Sequence, residues 1–121
     1  MASNREEREF ALYIVDLLQG IGPAAAKPMF GGFGLFLEGL MFGLIADNTL
    51  YFKVDNLSKG EFAELGLEPF TYFKQGKPMQ LSYWQAPEEC LDSSEGMIEW
   101  GNKGFSAALR AAAKKSSKST R

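Results

Sequence analysis

The first apolar residues of the chain, Phe10, Tyr13, Ile14, Leu17 and Leu18, recur at the spacing of one helical stripe. Ser3 with Glu6, or Asn4 with Glu7, supplies a capping-box start. Gly20 and Gly22-Pro23 end the pattern, so the spacing predicts a helix over about 4–19. The period then drops from helical to strand-like. Phe33, Leu35 and Leu37 point one way and Phe36 the other, and Leu50, Phe52 and Val54 alternate with Thr49, Tyr51 and Lys53. Turn residues at Glu38-Gly39 and Asp47-Asn48 divide this stretch into strands at 33–38, 41–46 and 49–53, with a lead-in at 27–30. Connections of two residues join antiparallel strands only, which excludes a Rossmann arrangement.

A short helix is expected at 58–65, from a Ser58–Glu61 capping box to Gly66. Strands at 69–73 and 79–84 follow, joined through Gln75-Gly76-Lys77. Pro87 opens a helical turn, where its missing N–H costs nothing. The last helix starts at 92–94, with Asp92 and Glu95 as cap partners. It presents Met97, Ile98, Gly101, Phe105, Ala108, Leu109 and Ala112 on one face. Its glycines read either as close packing onto the sheet or as a weak helix. After Ala113 only Lys, Ser, Thr and Arg remain, the composition of a solvated tail. The whole reads as a two-layer α+β domain, an antiparallel sheet with helices on one face in the order α-β(3)-α-β(2)-α. Residues 1–113 form the domain and 114–121 a basic flexible tail.

The 121 residues fit one domain, and 45% hydrophobic content argues against disorder. Their chemistry is sparse. The chain has no histidine, which excludes Ser-His-Asp and Cys-His catalysis and any His-ligated zinc. Cys90 is the single cysteine, so no internal disulfide forms, and the neighbouring Glu88 and Glu89 disfavour a reactive thiolate. Those two carboxylates are neighbours in a first helical turn, where they complement the helix dipole instead of facing each other as an acid–base pair. No Asp-x-Asp spacing offers a metal loop. The expected molecule is not an enzyme, and no cofactor or metal is expected. The longest apolar run, Leu40 to Ala46, is far shorter than the roughly 20 residues that span a bilayer. Met1 to Glu9 fits neither a signal nor a transit peptide, so a reducing cytoplasm is the expected compartment, with no membrane partner.

Gly31-Gly32-Phe33-Gly34 precedes strand pattern, not a helix, and reads as a bulge or sharp bend, not a phosphate loop. Its Gly-aromatic-Gly core echoes an RNA-recognition signature, but Gly31 and Glu38 stand where basic and aromatic residues belong. Twelve of the 16 aromatics fall between residues 30 and 84, and core packing accounts for most of them. Tyr72, Tyr83 and Trp84 stand apart, since polar-tipped aromatics suit an exposed sheet edge or interface. Charge is divided along the chain. Residues 1–102 carry 7 basic and 15 acidic side chains, a net of −8. Beyond them Lys103, Arg110, Lys114, Lys115, Lys118 and Arg121 stand with no acid, a candidate contact for nucleic acid or an acidic partner.

The run from Met29 to Ile45 (Met-Phe-Gly-Gly-Phe-Gly-Leu-Phe-Leu-Glu-Gly-Leu-Met-Phe-Gly-Leu-Ile) resembles the opening of the TfoX N-terminal domain family. Agreement continues through Ala46 to Asp55, Glu68 to Tyr72, Gly76-Lys77, Ser82 to Trp84 and Pro87 to Glu89, covering about residues 10–113. The resemblance implies a two-layer α+β fold of the secretion-chaperone-like kind. It also implies kinship with TfoX-type (Sxy) bacterial competence regulators, which act with the cyclic-AMP receptor protein and carry a second, C-terminal domain. It supplies no catalytic residues. The function expected is a non-enzymatic protein-interaction module whose partner is a protein such as a transcription regulator. The alternatives are nucleic-acid binding through the basic end, and a small-ligand site near Tyr72, Tyr83 and Trp84. Pairing of an exposed strand edge with its copy would give a homodimer.

Overall fold

The computed structural model describes residues 2–29 and 31–119, with side chains described for 5–29 and 31–115. Helix α1 (Ala2–Leu18) leads into four strands: β1 (Ala25–Met29), β2 (Gly32–Leu37), β3 (Leu40–Ala46) and β4 (Thr49–Lys53). Helix α2 (Lys59–Glu64), strands β5 (Pro69–Lys74) and β6 (Lys77–Gln85), and helices α3 (Glu89–Asp92) and α4 (Ser94–Ser119) complete the chain. The strands make one open, antiparallel sheet in the order β1-β2-β3-β4-β6-β5. This is an α+β fold.

Three tight turns set the hairpins. Glu38-Gly39, Asp47-Asn48 and Gln75-Gly76 all have positive φ at both central residues, the geometry whose twist matches that of the flanking strands. The segment expected as a lead-in is a full strand, so the sheet has six strands and not five. Ala25-Ala26-Lys27-Pro28-Met29 lacks apolar alternation because it is an edge strand with little to bury, and Pro28 is tolerated there for the same reason. A bulge lies between Leu35 and Phe36, opposite Met41–Gly43, and the extra residue lets Phe42 and Gly43 both turn toward the helices.

Two caps differ from expectation. Ser58 does not cap α2 through its side chain; Asp55 Oδ1 accepts from the Leu57 and Ser58 amides at 3.1 and 3.2 Å. At α4 the capping oxygen is that of Ser93, which accepts from Gly96 N at 3.1 Å, and not that of Asp92. The Ser3 and Asn4 side chains lie outside those described. The backbone of α4 stays helical through residues 114–119, past Ala113 where the tail was expected to begin, consistent with the helix-forming Ala111 to Lys115 run.

All four helices pack on one face of the sheet. Ile14 and Leu18 of α1, Leu35, Phe42 and Phe52 of the sheet, and Met97 of α4 are fully enclosed. Phe42 stacks on Phe52 at 6.3 Å and meets Phe105 edge-on at 5.9 Å, while Phe62 meets Trp100 edge-on at 5.0 Å. The glycines of α4 mark close packing. A Cβ at Gly104 would stand 3.0 Å from the Phe42 carbonyl oxygen and 3.1 Å from the Phe52 ring. The buried stripe of α4 runs through Met97, Trp100, Gly101, Gly104, Ala107 and Ala108, which rotates Leu109 out to solvent against expectation.

Candidate interaction surface

Strand alternation sends every second residue of the sheet away from the helices. Cross-strand pairing identifies them: Lys27 opposite Gly34, Phe36 opposite Met41, Leu44 opposite Tyr51, Lys53 opposite Tyr83, and Tyr72 opposite Met79. Among the described residues no helix covers this second face. Large side chains cover it themselves. Leu44 is buried, and Tyr83, only 9% exposed, lies across the sheet with its hydroxyl donating to the Met41 carbonyl oxygen at 3.4 Å. Burial pushes the Tyr83 phenol up to about 12, and burial assisted by Asp47 and Glu68 raises Tyr51, so both stay protonated donors at neutral pH.

The aromatics form a connected row. Tyr51 meets Phe70 edge-on at 5.0 Å, and Phe70 stacks on Tyr72 at 6.3 Å. Two lysines lie on rings: Lys27 Nζ is 4.8 Å from the Phe36 centroid and Lys53 Nζ 5.1 Å from that of Tyr83. The β5–β6 hairpin carries the face beyond the helical layer, with both of its sides in solvent. Tyr72 is 36%, Met79 41% and Phe73 71% exposed.

Of the three aromatics singled out by sequence, the structure brings together two. Tyr72 and Tyr83 share the uncovered face, whereas Trp84 pairs with Phe52 and packs toward the helices. The trio therefore does not converge on one ligand site between sheet and helices. The basic residues are likewise scattered. Lys103 pairs with Glu61 at 2.8 Å, and its ammonium lies 5.2 Å from the Trp100 centroid. Arg110 makes a two-pronged pair with Asp55 at 2.6 and 3.0 Å, and this guanidinium, with the Leu57 amide and Ser58, holds the Asp55 carboxyl at about 2. Lys114 lines an open cavity of about 440 Å³ beside Lys53 and Asp55. The side chains of Lys118 and Arg121 lie outside the described residues. Two of the six cations are thus committed to internal ion pairs.

Other chemistry is thin. Burial, with help from Glu89 and Glu99, drives the Cys90 thiol up to about 12, an inert state. Glu89 accepts from Trp100 Nε1 at 3.1 Å, a structural role. Among the described residues no cluster of three or more Cys, Asp or Glu could hold a metal ion, and no helix is long and apolar enough to cross a membrane.

Sequence reasoning overlooked the lysines of the sheet. The six strands contain Lys27, Lys53, Lys74 and Lys77 and not one Asp or Glu, although residues 1–102 are strongly acidic. A count of charge by strand would have found them.

The molecule is thus a two-layer α+β domain whose unusual groups are spread over a bare sheet face instead of gathered in a cleft. The chain belongs to the TfoX N-terminal domain family, whose profile matches residues 16–108. It is 34% identical over 86 residues to "DNA transformation protein TfoX1" of Aliivibrio fischeri (strain ATCC 700601 / ES114), a match covering 71% of this chain and 39% of that protein. The chain thus spans well under half of that relative's length.

Proposed function

We propose that this domain is a non-enzymatic protein-interaction module in the regulation of DNA transformation. The observation that carries the reading is membership of the TfoX N-terminal domain family together with the similarity to a DNA transformation protein. The geometry agrees with it. A helix-backed sheet offers a broad, partly apolar face, the Cys90 thiol is buried, and Asp55, Glu61 and Glu89 are held in structural contacts. The internal ion pairs of Lys103 and Arg110 count against the basic end as the principal contact.

The test is a chimera. Residues 16–108 of this chain replace the matching segment of the Aliivibrio fischeri relative, and transformation frequency is compared with the intact relative and with one lacking the segment. Retained transformation in the chimera, lost on deletion, supports the reading. A folded, expressed chimera that performs no better than the deletion overturns it.

A further inference from the structure

The uncovered face differs from the rest of the molecule in charge. All 15 acidic side chains lie in helices, turns and loops, while the strands contain four lysines and no acid. Lys27 and Lys53 are placed on the uncovered face by their aromatic partners, and Lys74 and Lys77 face each other two positions beyond the Tyr72–Met79 pair, on the same side. Asp47 and Glu68 sit at the rim by Tyr51, Glu7 shares an open cavity with Met29, and Asp55, beside Lys53, is taken up by Arg110. A net-negative body has thus kept one face positive.

We infer that this face docks an acidic, amphipathic helical segment of a partner protein. The inference rests on the interaction-module reading above and gives its partner a chemistry. Between the lysines the surface is apolar and adaptable: Tyr72 and Met79 are exposed, and Met29 and Met41 half-buried. Methionine suits a surface that must fit another chain's apolar side chains. Lysine ammoniums around such a patch attract carboxylates on the flanks of an amphipathic helix and set its orientation. The dimensions agree. Six strands span about 24 Å from edge to edge, and a helix of about 16 residues is about 24 Å long.

A single-stranded nucleic acid fits less well. Base stacking needs bare ring faces, whereas Lys27 and Lys53 lie over Phe36 and Tyr83, Tyr83 is buried, and Tyr51 is met edge-on by Phe70.

The experiment selects a displayed library of random peptides of about 16 residues, roughly four helical turns, on the full chain. Enriched peptides are then titrated against wild type, the Lys27→Glu/Lys53→Glu variant and the hairpin variant Lys74→Glu/Lys77→Glu. The hairpin variant lies outside the core and guards against misfolding of the first. The expected result is enrichment of net-negative peptides with apolar residues at helical spacing. Their affinity should fall at least about tenfold in a charge-reversed variant and weaken with salt. Any of four results would overturn the inference: no enrichment or enrichment without negative charge; affinity unchanged in both variants; tighter binding of a labelled oligo-dT than of any peptide; or a dimer of the free chain that the reversals dissociate. A working chimera with no acidic peptide selected would sink this inference and leave the proposed function standing. Acidic peptide binding beside a silent chimera would do the reverse.

Discussion

The two faces of the sheet are built from alternate residues of the same strands, yet they solve different problems. On the helical side Leu35, Phe42 and Phe52 are sealed beneath the helices, and the glycines of α4 bring its backbone against the strands. On the other side Lys27, Lys53 and Tyr72 stay at or near the surface, while Leu44 and Tyr83 are buried by their neighbours and the aromatics pack on one another. The main core belongs to the first set. The exposed members of the second are free to be selected for recognition, because surface residues away from buried features change stability little.

The sharpest test of that division is truncation on each side. Phe52→Ala removes a fully buried ring in contact with Phe42 and should lower unfolding stability by about 3–5 kcal/mol in urea titration. A loss below about 1 kcal/mol would mean the helical face is not the core. Next, Gly104→Val places a branched side chain against the Phe42 carbonyl and the Phe52 ring. Overpacking there should cost about 1–3 kcal/mol by the same titration; a neutral result would deny close approach of α4.

Asp55 gives a smaller, pH-dependent effect. Its carboxyl sits at about 2 in the folded chain against an ordinary 3.8, so its contribution is complete above pH 4 and is lost as pH falls toward 2. The pair with Arg110 is partly exposed, which limits the contribution to about 1 kcal/mol. Asp55→Asn should lose that amount at neutral pH and flatten stability between pH 4 and 2, as followed by thermal melts. An unchanged acid limb would show that the ion pair does not form. The smallest effect belongs to the uncovered face. Tyr72→Ser with Met79→Ser should leave the denaturation midpoint within about 0.5 kcal/mol of wild type while weakening peptide binding. A large destabilisation would make this face part of the core.

Much of the fold was legible because local signals agreed. Ile14 and Leu18 lie on the expected helical stripe, although Tyr13 of that stripe turns half out to solvent, and two-residue turns fix the hairpins whatever lies around them. β1 escaped because Ala-Ala-Lys-Pro-Met carries no pattern; its strand character comes from pairing with Phe33 and Phe36 across the sheet. The register of α4 shifted because buried Gly104 and Ala107 do not announce themselves as apolar, whereas exposed Leu109 does. The candidate surface was half legible. Tyr83 and Trp84 are strand neighbours and so must face opposite ways, a constraint available from the alternation alone. The lysine-edged face was hidden for a different reason. Lys27 and Lys53 come from distant parts of the chain, and Lys53 meets Tyr83 only through the β4–β6 pairing.

Methionine methyl groups report on both faces in one spectrum. Met29, Met41 and Met79 belong to the uncovered side, while Met97 is sealed beneath the helices. Adding a selected acidic peptide to ¹³C-methyl-methionine-labelled chain should move the first three resonances in proportion to occupancy and leave Met97 in place. A shift of Met97 with the other three unmoved would put the binding surface on the helical side and contradict the account.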